Sequence, residues 1–249
     1  AGYEDQQISL NLAPNKGARF SVVLKPTPET QAQAAKQALA KTIDRLGGAN
    51  ALKQTALMSA TGNASLWQSG GQRSDWRIAS RLKLPSMALL EISGAGVKWW
   101  TSLSGVNSKA DGDKKLRGGP VAVEMEKLVR VYRDYQPALL VARLQKMNLL
   151  APDGGAQASG AWRLHGTDTD GALDVYLSAD FTPVRVVYSS PSGLGSGLEI
   201  LYADYGAVGP AYYPKSMTIK YADQAQHGLE MHLDFVKIET KLADKEFHR

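Results

Sequence analysis

The chain has 249 residues, of which 43% are hydrophobic and 21% charged, with a net charge of +5 and no cysteine. This length suits one large all-β or α+β domain, or one domain with a small appendage. The lack of cysteine excludes disulfides, thiolate nucleophiles and cysteine-ligated metals, and no window approaches the roughly 20 apolar residues of a membrane-spanning helix. Lysines and arginines are scattered rather than gathered with aromatics on one face, so nucleic acid is not expected as a partner.

A polar extension and a helix begin the chain. Residues 1–26 are mostly polar apart from one alternating run at 20–24, and we interpret them as an extension or as the end of a preceding domain. Thr27 is followed by Pro and Glu, which is the pattern of an N-cap and first helical turn. The predicted helix runs to about Leu46, where two glycines stop it, and residues 49–53 add a short helical turn.

Alternating segments fill the rest of the chain, interrupted by a helical insert at about 120–150. Strands linked by turns must be antiparallel, because parallel pairs need a long crossover, and about ten strands would curl rather than stay flat. We therefore predict an α+β fold, mainly antiparallel β: a strongly curved, unclosed β-barrel of about ten strands with helices covering its concave face. The predicted strands are 56–67, 76–83, 87–92, 97–103, 161–164, 172–177, 184–188, 198–202, 215–221 and 229–238.

Four short pieces of sequence stand in an order and spacing that match a known family. They are 43–52 (IDRLGGANAL), 180–185 (DFTPVR), 202–205 (YADY) with 213–215 (YPK), and 242–247 (LADKEF). Together they resemble the periplasmic lipoprotein-carrier superfamily, which includes LolA-like and LolB-like proteins and outer-membrane lipoprotein-sorting proteins. The resemblance covers roughly residues 30–247 and leaves residues 1–26 outside it.

The resemblance implies a half-barrel domain over residues 27–249, whose helices lid a hydrophobic cavity for lipoprotein acyl chains or other lipids. It also implies a periplasmic or otherwise exported location, although the chain as given carries no signal peptide. Membrane-anchored receptor members begin with a lipid-modified cysteine, and this chain has none, so it resembles a soluble member. Other members are domains of larger exported proteins, such as peptidases, and residues 1–26 fit the end of such a neighbour.

Aromatic, methionine and other apolar residues are the candidates for lining that cavity. Flat or flexible side chains adapt to a variable ligand, and each buried methylene of an acyl chain contributes ~0.8 kcal/mol. For any one of them the alternative is a plain core residue. The candidates are Trp67, Trp76, Met87, Trp99, Trp100, Met125, Leu128, Tyr132, Trp162, Tyr188, Tyr202 and Met217, with Tyr176 as a further possibility.

No motif predicts catalysis, a metal or a cofactor. The four histidines lack the H-E-x-x-H pattern and the i, i+4 spacing of helical metal ligands. The run 168–171 (DTDG) resembles the start of a calcium loop but lacks its later Glu, so a hairpin turn is predicted. Ser80 and Lys83 have the S-x-x-K spacing but lie in an alternating strand rather than at a helix start.

We therefore expect a non-enzymatic protein that binds a lipid, acyl chain or lipoprotein in a hydrophobic cavity, for carrier or sensing use in the cell envelope. A partner protein of the envelope is a further expectation, and the insert at 120–150 is either a gate or a fixed part of the core. The alternative is an interaction or scaffold module of a larger exported protein, such as a peptidase, with a filled core. An enzyme ranks third, because it would need a polar cluster inside the cavity.

A basic cluster lies in the Gly- and Asp-rich loop before the insert. It comprises Lys109, Lys114, Lys115 and Arg117. We interpret it as a solvated loop, and the alternative is contact with anionic lipid headgroups or an acidic partner.

Overall fold

Twelve strands in one antiparallel sheet, with four helices, make up the part of the chain that the structure describes. The structure is a computed structural model, and it describes residues 25–67, 72–117, 119–152, 161–189, 197–221 and 228–247. The helices are α1 (Pro28–Arg45), α2 (Gly48–Gln54), α3 (Pro120–Asp134) and α4 (Pro137–Leu144). The strands are β1 (Leu57–Trp67), β2 (Arg73–Lys83), β3 (Met87–Gly94), β4 (Val97–Ser104), β5 (Asn107–Gly112), β6 (Asn148–Leu150), β7 (Trp162–Asp168), β8 (Gly171–Leu177), β9 (Pro183–Ser189), β10 (Leu198–Val208), β11 (Ala211–Tyr221) and β12 (Gly228–Ile238).

The first and last of these strands lie side by side at the centre of the sheet. Its order is β5-β4-β3-β2-β1-β12-β11-β10-β9-β8-β7-β6, so β1 pairs with β12 at the centre and the hairpins follow on either side. The two ends of the sheet, β5 and β6, are therefore consecutive strands of the chain. The helices α3 and α4 lie between them in sequence.

The central pair bends where β12 contains one extra residue. The register between β1 and β12 shifts between Thr61 and Gly62, and such a bulge bends a strand and increases its twist. A side chain at Gly62 would place its Cβ 2.0 Å from the carbonyl oxygen of His232. Glycine at this position lets the backbones of β1 and β12 approach closely at the middle of the curved sheet.

The helices cover one face of the sheet, which we call the concave face; the opposite one is the convex face. α1 packs against β6 and β7, α3 packs against β3, β4 and β5, and α4 lies between α1 and α3. Residues at alternate positions of each strand join these helices in one large hydrophobic core. This architecture confirms the predicted α+β fold with an open, curled antiparallel sheet and a helical cover.

Two strands were not predicted from the sequence. β5 (NSKADG) has no large apolar residue, because it is an edge strand whose concave side carries only Ser108, Ala110 and Gly112. β6 has three residues and falls at the end of the insert predicted at about 120–150. The count within the described ranges is therefore twelve rather than about ten.

The chain after β12 crosses onto the convex face. Leu242 and Phe247 are buried there against Leu89, in a small cluster separate from the main core. None of the helices in the described ranges is both long enough and apolar enough to span a membrane. The predicted domain limit at residue 27 stays a prediction, because residues 1–24 lie outside the described residues.

The close approach at Gly62 gives a stability prediction. Gly62→Ala should lower the free energy of unfolding by about 1–3 kcal/mol, because the new methyl group meets backbone that cannot rotate away. Urea unfolding followed by tryptophan fluorescence measures this change. Gly94→Ala is the control, since its Cβ would meet the Trp76 ring at 3.2 Å and a side chain can move. Equal losses in the two variants would contradict the prediction.

Candidate functional site

Nine of the twelve predicted lining residues lie on the concave face or on α3 above it. Strand pairing places alternate residues on it, beginning with Met58 opposite Leu82 and Trp76 opposite Ala64. The lining candidates on this face or on the helix above it pack in or against the main core. They are Trp76, Trp99, Met125, Leu128, Tyr132, Trp162, Tyr188, Tyr202 and Met217.

The other three candidates lie on the convex face. Met87 and Trp100 pack beside Leu89 under the C-terminal segment. Trp67 lies opposite Arg73, whose guanidinium carbon is 5.2 Å from the ring centroid of Trp67. Tyr176 is on this face too, beneath the guanidinium of Arg185. These side chains do not face the helical cover.

The helical cover fills the concave face. Met125, Leu128 and Tyr132 project from α3 and are at most 1% exposed. The small residues Ala60 and Ala64 on the concave side of β1 are buried as well, and they leave room for larger side chains from above. A long ligand would therefore reach this face only if the helices move.

A buried polar network fixes the junction between α3 and α4 to the sheet. The hydroxyl of Tyr202 donates to the carbonyl of Tyr135 at 2.6 Å, and the hydroxyl of Tyr213 donates to the side-chain oxygen of Gln136. The Gln136 side chain in turn donates to the carbonyl of Tyr132 at 2.7 Å. We call Tyr132, Tyr202 and Tyr213 the anchor tyrosines, with the hydroxyl of Tyr132 also 3.0 Å from Ser80 on β2.

Arginines tie the helices to the rim of the sheet. In α3, Arg130 donates to the carbonyl of Val106 at 2.6 Å and Arg133 donates to that of Gly105 at 2.7 Å. In α4, Arg143 pairs with Asp168 at 3.2 Å and lies over the ring of Tyr188. The last helical residue of α1, Arg45, pairs in the same way with Asp180 at 2.8 Å. These four are the rim arginines.

The Arg143 contact is partly shielded from water. Burial alone would raise the pKa of Asp168, but hydrogen bonds from Arg143 and from the Asp170 backbone outweigh it, so the pKa lies below its usual value. The carboxylate is therefore charged at neutral pH, and the pair stays intact.

An apolar groove opens where the helices of the cover meet one rim of the sheet. It encloses about 290 Å³, which is at the small end for ligand pockets. Two of its lining residues, Leu52 and Val141, form with Leu46 a satellite cluster that is separate from the main core. The walls of the groove come from α1, α2, α4 and the β2–β3 turn: Ile43, Ala49, Leu52, Lys53, Ala56, Leu84, Pro85, Ala138, Leu139, Val141, Ala142 and Gln145.

The groove was not predicted from the sequence. The segment 137–144 (PALLVARL) is apolar on both sides, with Leu140 and Leu144 buried while Leu139 and Ala142 remain partly exposed. A helix that is apolar all round must find partners on every side. That pattern is the signal that a second apolar surface exists on α4.

Concavities on the convex face have a different character. Two neighbouring ones, of about 380 and 430 Å³, share Thr61, Ala79 and Glu91. Charged groups border them, including Arg81 and Glu239. The polar floor of the first does not favour an alkyl chain, whereas Trp99 and Trp100 also line the second.

A serine, a histidine and an aspartate meet on the convex face but do not form a catalytic triad. Nδ1 of His232 lies 2.9 Å from Oγ of Ser216 and 3.5 Å from Oδ2 of Asp204. In a triad the serine and the aspartate contact opposite ring nitrogens, whereas here both contact the same one. Within the described ranges there is also no group of three or more metal-ligating side chains.

The chain is similar to known proteins in its structure. No sequence-family profile matches the chain, and no curated protein does. A DUF1329 family protein from Desulfovibrio piger superimposes with a TM-score of 0.51 at 8% identity, over 87% of this chain and 98% of that one. A LolA superfamily protein from Nitrosomonas europaea gives 0.53 at 12% identity, over 87% and 98%.

A third similar structure carries the description of an outer membrane lipoprotein-sorting protein domain, from Vibrio parahaemolyticus. It superimposes with a TM-score of 0.53 at 13% identity, over 89% of this chain and 97% of that one. The chain has the LolA-like fold. This confirms the resemblance seen in the sequence at the level of the fold, and the high coverage of each neighbour shows that the likeness extends over the whole half-barrel.

The anchor tyrosines predict how stability depends on pH. Burial raises the pKa of Tyr132, Tyr202 and Tyr213 above 10, so the folded chain keeps protons that the unfolded chain releases. Stability is therefore full below pH ~10 and falls above it, by up to ~1.4 kcal/mol per pH unit for each tyrosine. Tyr202→Phe should make this fall shallower, with a loss of about 1 kcal/mol at neutral pH for the missing hydrogen bond.

Urea unfolding at neutral pH and at several alkaline values measures this dependence. Tyr176→Phe, at a partly buried position on the convex face, is the matched control. If Tyr202→Phe and the parent chain lose stability equally steeply in alkali, the buried hydroxyl of Tyr202 does not contribute.

Proposed function

We propose that the chain is a non-enzymatic binding protein for an acyl chain or a comparable long apolar group, in the cell envelope. The observation that carries this proposal is the apolar groove at the junction of α1, α2 and α4. One solved structure with the same fold bears a lipoprotein-sorting description, which supports a ligand of this class. A periplasmic or exported location and a lipoprotein or envelope partner belong to the same proposal.

The groove connects to the main core through shared residues. Ile43 and Tyr205 pack against both the satellite cluster and the main core. A ligand that separates α4 from α1 and α2 therefore passes from one apolar surface to the next without crossing a polar layer. Each methylene that it buries contributes about 0.8 kcal/mol, which offsets the helix–helix packing that this separation disrupts.

The ties on α4 differ in strength at its two ends. Its beginning is held by the buried network at Gln136, whereas its last turn is held by Arg143 at a partly exposed ion pair. Partly exposed pairs contribute on the order of 0.2–1 kcal/mol, far less than the burial of a long alkyl chain. We infer that α4 moves at its C-terminal end while the junction with α3 stays in place.

Filling the groove tests where the ligand binds. A fluorescent fatty-acid analogue should bind the parent chain saturably, and Ala142→Trp should weaken that binding at least about tenfold by occupying the groove. Ala40→Trp, on the exposed side of α1, is the control and should bind like the parent chain. Absence of saturable binding to the parent chain would contradict the proposed function. Equal binding of the probe by both tryptophan variants would show that the ligand binds outside the groove.

Loosening the α4 tie tests the movement. Arg143→Gln should speed association of the same probe by about two- to fivefold, because it removes a contact of up to ~1 kcal/mol that holds the cover closed. Stopped-flow fluorescence measures the rate. Arg185→Gln is the matched control, since Arg185 also pairs with a carboxylate, that of Glu199, and lies over a tyrosine ring, but on the convex face. Identical rates in both variants would show that the α4 tie does not limit access.

A further inference from the structure

Two buried hydrogen-bond donors lie beneath α3 without a partner among the described residues. They are Nε1 of Trp99 and Oγ1 of Thr101, whose side chains are 4% and 0% exposed. Both belong to β4, two residues apart, and both point to the concave face, where Trp99 pairs with Ile92 and Thr101 with Leu90. A buried polar group without a partner costs about 1–3 kcal/mol. This arrangement therefore lowers the stability of the closed chain, in which α3 is packed on the sheet.

The helix above these donors is fixed at one end. α3 packs on β3, β4 and β5, and its last turns are held by Tyr132, Arg130 and Arg133. At its start, the N-cap residue Gly119 supplies no side-chain hydrogen bond, and the first turn has no acidic residue. A glycine N-cap costs only a few tenths of a kcal/mol relative to a capping side chain. The hydrogen bonds described above between α3 and the sheet, however, all come from its C-terminal half, so the N-terminal half of α3 is the part that is easier to lift.

We propose that Trp99 and Thr101 bind the carbonyl oxygen of an acyl ester or amide beneath the N-terminal half of α3. This inference rests on the proposed function and names the chemical class of its ligand. Both side chains are neutral donors, which suits an uncharged carbonyl, whereas a buried carboxylate would need a cation. An alkane offers no acceptor and would leave both donors unpaired.

The position of the donors fits an elongated ligand. Thr101 lies in the same row across the sheet as Ser80, and Trp99 in the same row as Ile78. These rows are four and six residues along β2 from Leu84 at the apolar groove, or roughly 13–20 Å at the rise of a strand. A carbonyl beneath α3 thus leaves room for its alkyl chain to run toward the groove.

Two variants test the assignment by removing one donor each. Thr101→Val keeps the shape of the side chain, and Trp99→Phe keeps an apolar aromatic ring of smaller size. Displacement of N-phenylnaphthylamine, an apolar probe without a carbonyl, is measured with methyl palmitate and with n-octadecane. Each variant should lose about three- to tenfold in affinity for the ester, the range for one hydrogen bond. Affinity for the alkane and the probe should stay unchanged.

Stability of the ligand-free chain is the second measurement. Because the donors are unpaired in the closed chain, Thr101→Val should keep or raise the midpoint of urea unfolding. Trp100→Phe and Thr61→Val are the matched controls, since both residues lie on the convex face. They should not change the preference for ester over alkane.

The outcomes separate the two proposals. If neither probe nor ester binds the parent chain, the proposed function itself fails. If both bind, but Trp99→Phe and Thr101→Val bind the ester as the parent chain does, only the assignment of the two donors fails. A lower unfolding midpoint for Thr101→Val with unchanged ester binding would show that its hydroxyl is paired within the protein.

Discussion

The concave face of an open sheet is apolar and must be kept from water, and the rest of this structure follows from that constraint. A closed barrel would shield its interior by strand pairing, but here the described sheet ends at β5 and β6. The insert that joins these two strands therefore supplies the shield, together with α1. The contacts of the insert with the sheet that are described above are made by its side chains, whereas the carbonyl of Leu46 at the end of α1 accepts a backbone hydrogen bond from Tyr212 of β11. The helices α3 and α4 can therefore separate from the face while every strand ladder stays paired.

Two kinds of contact hold the cover, and they differ in how easily they break. The anchor tyrosines are buried and make hydrogen bonds at the α3–α4 junction. Loss of one partner there would leave a buried polar group without a hydrogen bond. The rim arginines lie at partly exposed positions, where ion pairs and carbonyl contacts compete with water. The junction is thus a fixed point, and the outer parts of α3 and α4 are the parts that can respond to a ligand.

Most of the fold was predictable because its signals are local. The N-cap at Thr27, the alternation along β2 and the short links between strands specify a helix followed by an antiparallel, curled sheet. β5 and β6 escaped prediction because edge strands are short and need little apolar surface. Of the candidate lining residues, those on the concave face follow from alternation, but alternation does not say which of two faces is inside. Met87 and Trp100 lie on the convex face, since the C-terminal segment buries apolar residues there as well.

By itself, the sequence determined the type and order of the elements, the antiparallel pairing and the presence of an apolar interior, because these depend on spacing and on side-chain chemistry within short windows. Only the tertiary structure decided which groups meet. It brought α4 beside α1 and α2 to form the groove, placed Tyr202 and Tyr213 under the α3–α4 junction, and left Trp99 and Thr101 beneath α3 without partners among the described residues. Such contacts join residues far apart in the chain, and they depend on the curvature of the whole sheet, which no local pattern specifies.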